Sequence, residues 1–205
     1  MRDDPAMDSA QRQQFVGLIV AEAERLSRLV NQVLDMAKIE SGRGDWRNEP
    51  IDLRELIAHA VQTTHELFRE RGAEVAVEQP ERVPLLHADR DRLLQVLLNL
   101  LSNAAKFVPT GRGRVVVGLS VDARAATIEI RDNGPGIAPE QQQLVFEKFR
   151  QGGDANQRPQ GTGLGLPISR QIIEHFGGRM WLESVPGQGA TFGFDLPWQH
   201  RETAS

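Results

Sequence analysis

The chain has 205 residues and a mass of 22.8 kDa, with 24 basic and 28 acidic side chains and 40% apolar content. Folding at this length buries roughly 70% of the extended-chain surface, so one or two globular domains need no metal or disulfide staple. The absence of cysteine excludes disulfides, thiolate zinc sites and thiol chemistry, and a net charge of −4 argues against a general nucleic-acid or anionic-membrane binder.

The first nine residues are polar, contain Pro5 and show no periodicity, so they read as a loop or frayed end. From Val16 the apolar positions Val16, Ile19, Ala23, Leu26, Val30, Val33 and Ala37 keep an alternating spacing of three and four, which predicts a long helix with a heptad seam. Leu18, Leu29, Leu34 and Met36 widen that seam toward the face of a multi-helix bundle; a terminal helix packed on its own domain is the alternative. Ser41 to Gly44 stop it, and a hinge or linker is expected as far as Pro50. Leu53 to Leu67 has helical spacing, and short β-rich runs follow at Glu74 to Glu78 and Leu85 to His87. Asp89 is placed to cap a helix from Arg90 to Phe107, ended by Pro109 and Gly111. Val115 to Val121 and Ala126 to Arg131 read as strands, then come a long loop, a helix from Leu164 to Phe176, and strands at Arg179 to Ser184 and Ala190 to Leu196. Helices and strands mixed without regular alternation favour an α+β sandwich with a mixed sheet. No apolar run approaches the ~20 residues that span a bilayer, and the N-terminus does not resemble a signal peptide.

Three segments carry chemistry. In the nearly apolar helix of residues 90–107, Asn99, Asn103 and Lys106 are spaced by four and three, so they share one face and need partners or a cavity. Amide oxygens beside an ammonium suit a magnesium-bound polyphosphate; a solvated polar stripe is the plainer alternative. Asp132-Asn133-Gly134-Pro135-Gly136-Ile137 follows a predicted strand, where the carboxylate offers an acceptor for a donor such as an adenine amine and the glycines permit close approach. A tight hairpin turn fits the same residues. Gly161-Thr162-Gly163-Leu164-Gly165-Leu166 opens a helix and exposes amides suited to phosphate, although many glycine-rich turns bind nothing. The polar stretch Arg150 to Gln160 reads as a lid, in which Arg150 or Arg158 would reach a phosphate or simply face water, with Phe146 and Phe149 as core anchors at its base.

Taken together and in this order, these segments resemble the catalytic ATP-binding domain of sensor histidine kinases, within the gyrase, Hsp90, histidine kinase and MutL superfamily. N-L-L-S-N-A-A-K-F at 99–107 resembles the N box, D-N-G-P-G-I at 132–137 the G1 box, F-E-K-F at 146–149 the F box, G-T-G-L-G-L at 161–166 the G2 box, and residues 187–192 the terminal glycine turn. Glu24 to Leu29 and Lys38 to Gly42 resemble the second helix of the family's dimerisation and histidine-phosphotransfer hairpin. The resemblance implies a Bergerat-type two-layer α/β sandwich, a mixed sheet covered by three helices, preceded by a long bundle-forming helix. Residues 1–44 would be part of the phosphotransfer hairpin, its helix at about 10–41, and residues 45–205 the catalytic domain.

It further implies ATP and Mg2+ as cofactors. Asn103 would ligate the metal, Asn99 would lie beside metal and phosphates, Lys106 would contact phosphate, and these three would act in catalysis. Asp132 would recognise adenine, and Gly134, Gly136, Ile137, Phe149, Arg158, Gly161, Thr162, Gly163, Leu164, Gly165, Leu166 and Thr191 would complete the nucleotide site. The expected partners are the histidine-bearing hairpin helix of the parent kinase, a response regulator, and a second copy through the N-terminal helix, with no nucleic acid. The expected location is cytoplasmic, which allows attachment of the parent to the inner membrane.

One departure qualifies the activity. The family's acceptor histidine lies in an H-E-[LF]-x-T-P setting, and none of the five histidines, His59, His65, His87, His175 and His200, has it. His65-Glu66-Leu67 is followed by Phe68-Arg69-Glu70, so His65 reads as a helix-surface histidine. The chain is therefore expected to be a kinase fragment that binds ATP and phosphorylates a histidine supplied in trans. A nucleotide-binding module without transferase activity is the alternative. An ATPase of the gyrase or MutL kind is disfavoured, because those enzymes look to a glutamate where this chain has Asn99, whose amide is no general base. Gln160 stands where many relatives have a further lid glycine.

Overall fold

A computed structural model describes residues 9–42, 45–150 and 162–198. The chain divides into two compact units, residues 1–43 and 44–205.

In the first unit, helix α1 runs from Ser9 to Glu40, about 48 Å at 1.5 Å per residue. It ends as its glycine predicts: Gly42 takes φ +67 and donates its N–H to the Ile39 carbonyl, while Ser41 donates its N–H to Ala37 and its hydroxyl to Lys38. Phe15, Val16, Leu18, Ile19, Val20, Leu26, Val30, Val33 and Leu34 remain roughly half exposed along it.

The second unit opens with β1, Glu49–Ile51, which pairs antiparallel with β3, Leu86–Ala88, to form a two-stranded ribbon. Residues 49 and 50, expected in a linker, are thus part of a strand. Between them lie α2, Leu53–Arg71, and β2, Glu74–Glu78. Asp52 caps α2 by accepting the Arg54 and Glu55 amides, and Gly72 closes it in the left-handed conformation. Helix α3, Arg90–Phe107, follows Asp89, then come β4, Arg114–Val121, and β5, Ala125–Asp132. The stretch read as one long loop contains the single-turn helix α4, Pro139–Gln142, and a 3-10 turn, Leu144–Phe146. Helix α5, Gly165–His175, and strands β6, Arg179–Ser184, and β7, Ala190–Pro197, complete the chain.

The main sheet has the order β2-β4-β5-β7-β6; β2 and β4 are parallel and the other pairs antiparallel, so the sheet is mixed as expected. Strand alternation decides its two faces. Val115, Val117 and Leu119, Ala126, Ile128 and Ile130, and Ala190, Phe192, Phe194 and Leu196 are buried on one side, against apolar residues of α2, α3 and α5 such as Phe68, Leu97, Leu101, Ile168 and Ile172. Polar residues occupy the other side, where Arg131 pairs with Glu129 and Glu78 and Trp181 lies across Gly193. This is the two-layer α+β sandwich with three covering helices. Its consequence for function is that the C-terminal end of β5, the C-terminal half of α3 and the start of α5 come together at one edge of the helical layer.

Candidate functional site

Helix α3 holds the polar stripe in place because everything around it is apolar. Leu93, Val96, Leu97, Leu100, Leu101, Ala104 and Ala105 are buried, which leaves Asn99, Asn103 and Lys106 half-buried along one face. Asn99 donates from Nδ2 to the Gly165 carbonyl at 3.3 Å and to the Ser169 hydroxyl at 3.2 Å, tying the middle of α3 to the first turn of α5. Its oxygen faces no competing donor among the described residues. Asn103 and Lys106 have no hydrogen-bond or ion-pair partner among the described residues. Burial without a counter-charge lowers the Lys106 pKa from the usual lysine value.

Asp132 ends β5, where it pairs with Val115 on one side and Ala190 on the other. Its Oδ1 accepts the Gly134 amide at 2.8 Å. Burial raises its carboxyl above the usual carboxylate range, and bonds from the Gly134 and Ala190 backbone amides pull the other way. A carboxylate that is half-desolvated and has no ion-pair partner among the described residues suits a neutral donor such as an amine or amide edge. Gly134 also packs against the end of α3, for a Cβ there would stand 3.0 Å from the Phe107 carbonyl oxygen. The Asp132 turn and the Lys106 end of the stripe are therefore neighbours.

The rest of that turn is sewn to the loop between β6 and β7. Ile137 donates its amide to Ser184 Oγ at 2.8 Å, that hydroxyl donates to the Gly189 carbonyl at 2.7 Å, and Gln142 Nε2 donates to the carbonyls of Ile137 and Ser184. Gly136 has φ +72 and runs so close to Val185 that a Cβ would sit 2.2 Å from its carbonyl oxygen.

At the start of α5, Thr162 accepts the Leu164 amide on its hydroxyl, Leu164 is fully buried, and no side chain among the described residues caps the helix. Gly163 accepts the Phe149 amide at 3.0 Å. Leu166 is half-buried beside Gly165.

Not every expected site residue joins this constellation. Phe149 is no core anchor: it has φ +62 and is 65% exposed, because the turn that bonds Gly163 directs its ring outward. Phe146 does pack inward, edge-on to Phe192. Thr191 lies on the polar face of β7, opposite Asp132, whereas its neighbour Ala190 pairs with Asp132 and is buried. Arg158 and Gly161, with most of the expected lid, lie outside the described residues. His65 is an exposed helix residue beside Glu66, as its sequence setting suggested.

The sequence reading missed Ser169, Ser184 and Gln142, which orient the two glycine turns. The signal for Ser169 was its phase: it falls with Ile168, Ile172 and Ile173 on the apolar face of α5, and it is fully buried. Ser184 and Gln142 carried no such mark.

The residues present fit a magnesium nucleotide. No group of three His, Cys, Asp or Glu side chains able to hold a metal occurs among the described residues, so a cation here would be held by an amide oxygen together with phosphate oxygens brought by the ligand. Asn103 is the amide of the stripe without another partner among the described residues.

Known proteins resemble this chain in sequence and in fold. Residues 88–200 match the family described as histidine kinase-, DNA gyrase B-, and HSP90-like ATPase. The chain is 34% identical over 191 residues to the circadian input-output histidine kinase CikA of Synechococcus elongatus, covering 92% of this chain and 25% of that protein. It is 32% identical over 190 residues to the adaptive-response sensory kinase SasA of Parasynechococcus marenigrum, covering 90% of this chain and 48% of that one. Among solved structures it is similar to full-length ShkA in complex with AMPPNP, with a TM-score of 0.81 and 30% identity over 95% of this chain and 40% of that chain. The chain thus spans between a quarter and a half of the length of these relatives.

Proposed function

Because the chain belongs to the histidine kinase-, DNA gyrase B- and HSP90-like ATPase family, we propose that residues 45–205 bind Mg-ATP between α3 and the turn opening α5, and transfer its γ-phosphoryl group to a histidine that this chain does not itself carry. One observation carries the reading: the Asp132 turn touches the Lys106 end of α3 through Gly134 and Phe107, while Asn99 ties the middle of α3 to Gly165. An acceptor carboxylate, an amide and an ammonium that are unpaired among the described residues, and the first amides of α5 therefore share one edge.

The division of labour follows from the chemistry of each group. Asp132 accepts from the exocyclic amine of the base, Lys106 meets a phosphate oxygen, and the amides at the start of α5 favour the negative charge of the phosphate chain. Mg2+, when bound through Asn103 and the phosphates, supplies charge neutralisation on the transferring group. An imidazole nitrogen forms a bond to the γ-phosphorus as the bond from that phosphorus to the β–γ bridging oxygen breaks; ADP leaves with that oxygen and the imidazole proton passes to solvent. The side chains contribute mostly by positioning. Asn99 has no basicity with which to activate water, and its Nδ2 is already committed to Gly165 and Ser169, which favours transfer over hydrolysis.

In the whole protein we place the acceptor on a histidine-bearing helix, a response regulator as the next phosphate acceptor, and a second copy on the apolar face of α1. The test is calorimetric titration with AMPPNP, with and without Mg2+, followed by mixing with a separately supplied histidine-bearing hairpin and γ-labelled ATP. Mg-dependent binding and label on the added hairpin, with none on this chain, is the expected result. Binding without transfer to any kinase hairpin would replace the enzyme by a nucleotide-sensing module, and absence of binding by folded protein would overturn both.

A further inference from the structure

Helices α3 and α5 run antiparallel, as their contacts fix. The middle of α3, at Asn99, meets the start of α5 at Gly165 and Ser169, whereas Arg92 near the start of α3 and His175 at the end of α5 meet a common third residue, Trp46. From Ser169 or Gly165 to His175 is a rise of about 9 to 15 Å. Trp46 therefore sits at the end of the helix pair away from the proposed nucleotide site.

Its contacts are specific. The indole stacks on the His175 imidazole with centroids 3.7 Å apart and planes at 11°, meets Phe176 edge-on at 5.4 Å and 88°, and lies 5.6 Å from the Arg92 guanidinium. The next residue is pinned as firmly. Asp89 is buried and spends one carboxylate oxygen on the Arg92 amide, as the cap of α3, and the other on the Arg47 amide at 3.0 Å. Two residues later β1 begins its pairing with β3. Residues 46 and 47 thus hold the start of α3 by a hydrogen bond and the end of α5 by an aromatic stack.

The pair is tied at Asn99, and Trp46, half-buried, joins its far ends. We propose that Trp46 is a positioning residue for the nucleotide site: by bridging Arg92 of α3 to His175 and Phe176 of α5 it sets the spacing between Asn103 and Lys106 on one helix and the Gly163 to Gly165 turn on the other. The proposal rests on the nucleotide reading above. It makes residues 45–48 more than a connector, since any displacement of them is delivered to both helices that flank the phosphates. By linkage the effect is reciprocal: a nucleotide that draws the two helices together tightens the indole stack by the same factor that the stack tightens nucleotide.

The experiment uses the full chain. With Trp181→Phe and Trp198→Phe, Trp46 becomes the sole indole of the three in the sequence, and its fluorescence is followed while AMPPNP and Mg2+ are added. A saturable change, with the midpoint found by calorimetry, and reduced quenching by acrylamide are expected. In parallel Trp46→Ala is titrated well below its melting temperature, so that the dissociation constant and the bound fraction are read separately. Affinity falls by roughly fivefold or more at unchanged stoichiometry, and Trp46→Phe restores most of it. A stack that only stabilises the fold would lower the melting temperature or the bound fraction and leave the dissociation constant unchanged; that result, or an indole signal silent to nucleotide while calorimetry shows binding, overturns the proposal. If the unaltered chain binds no AMPPNP, the nucleotide reading itself has failed. Should Trp46→Ala not fold, the fluorescence titration decides alone.

Discussion

Asp132 and Lys106 are perturbed in opposite senses by the same cause, loss of water, and each perturbation has a measurable sign. The Asp132 carboxyl is raised, so the folded chain holds its proton over a window in which the unfolded chain has lost it. Above that window the ionised group costs stability, and the cost is relieved as pH falls through the raised value. Asp132→Asn keeps an oxygen for the Gly134 amide and removes the charge. Its melting temperature at neutral pH is expected to equal or exceed the parent's, with the margin shrinking on acidification, while AMPPNP binds about 10- to 100-fold more weakly through loss of a charge-assisted bond to the base. A variant that lost stability but kept its affinity would contradict the assignment.

Lys106 is lowered, so a phosphate beside it favours the ammonium and raises it again. Binding at mildly alkaline pH should therefore take up protons, seen as a dependence of the calorimetric enthalpy on the ionisation enthalpy of the buffer; Lys106→Met should abolish it. Lys106 was legible in the sequence because it is polar in a nearly apolar helix, and Asp132 because it opens the glycine turn that follows a strand. Thr191, expected in the nucleotide site, stands on the other face of the sheet from Asp132: a one-residue step along a strand reverses the face, and the side chain that shares Asp132's register is that of Ala190. Ser184 and Gln142 act on backbone groups far away in sequence, the Ile137 amide and the Ser184 carbonyl respectively, and nothing local announces that.

The elements were the most readable level. The cap at Asp89 and the glycine stop after α1 lie where the sequence puts them. What escaped is short or non-local. The strand β1, only three residues long and containing Pro50, has no alternation to detect and exists because Leu86–Ala88 supplies its partner some 35 residues later. The single-turn α4 and the 3-10 turn are too short for periodicity to mark. The glycine turns allow an element-level test. Gly136→Ala places a Cβ 2.2 Å from the Val185 carbonyl oxygen at φ +72, whereas Gly187, at φ +81, has nothing within 4 Å. Gly187→Ala should cost only the left-handed strain, about 1 to 2 kcal/mol, and Gly136→Ala should cost more than that and also weaken AMPPNP binding, because the turn carrying Asp132 must shift. Urea unfolding and titration of the two variants check the order; equal costs would mean that the turn yields freely.

At the scale of the whole molecule, sheet order was the least legible feature, since the parallel β2-β4 pair and the passage of β7 between β5 and β6 are decided by packing across the chain. The division into two units was clearer, because a heptad seam gives way to short mixed elements at a glycine stop. Every described residue of the candidate site, together with the three covering helices and the sheet, belongs to residues 44–205, and that unit has its own buried core. Residues 1–43 contribute a helix whose Val16, Ile19, Leu26, Val30 and Val33 are half exposed. A seam of that kind in water drives association, whereas nothing in the site's inventory needs it. Residues 44–205 expressed alone are therefore expected to fold cooperatively and bind AMPPNP within about twofold of the longer chain. The full chain should show concentration-dependent self-association in sedimentation that the shorter one lacks. A large loss of affinity on removing residues 1–43 would mean that the N-terminal unit is part of the nucleotide site, and a monomeric full chain at all concentrations would mean that its seam is covered in another way.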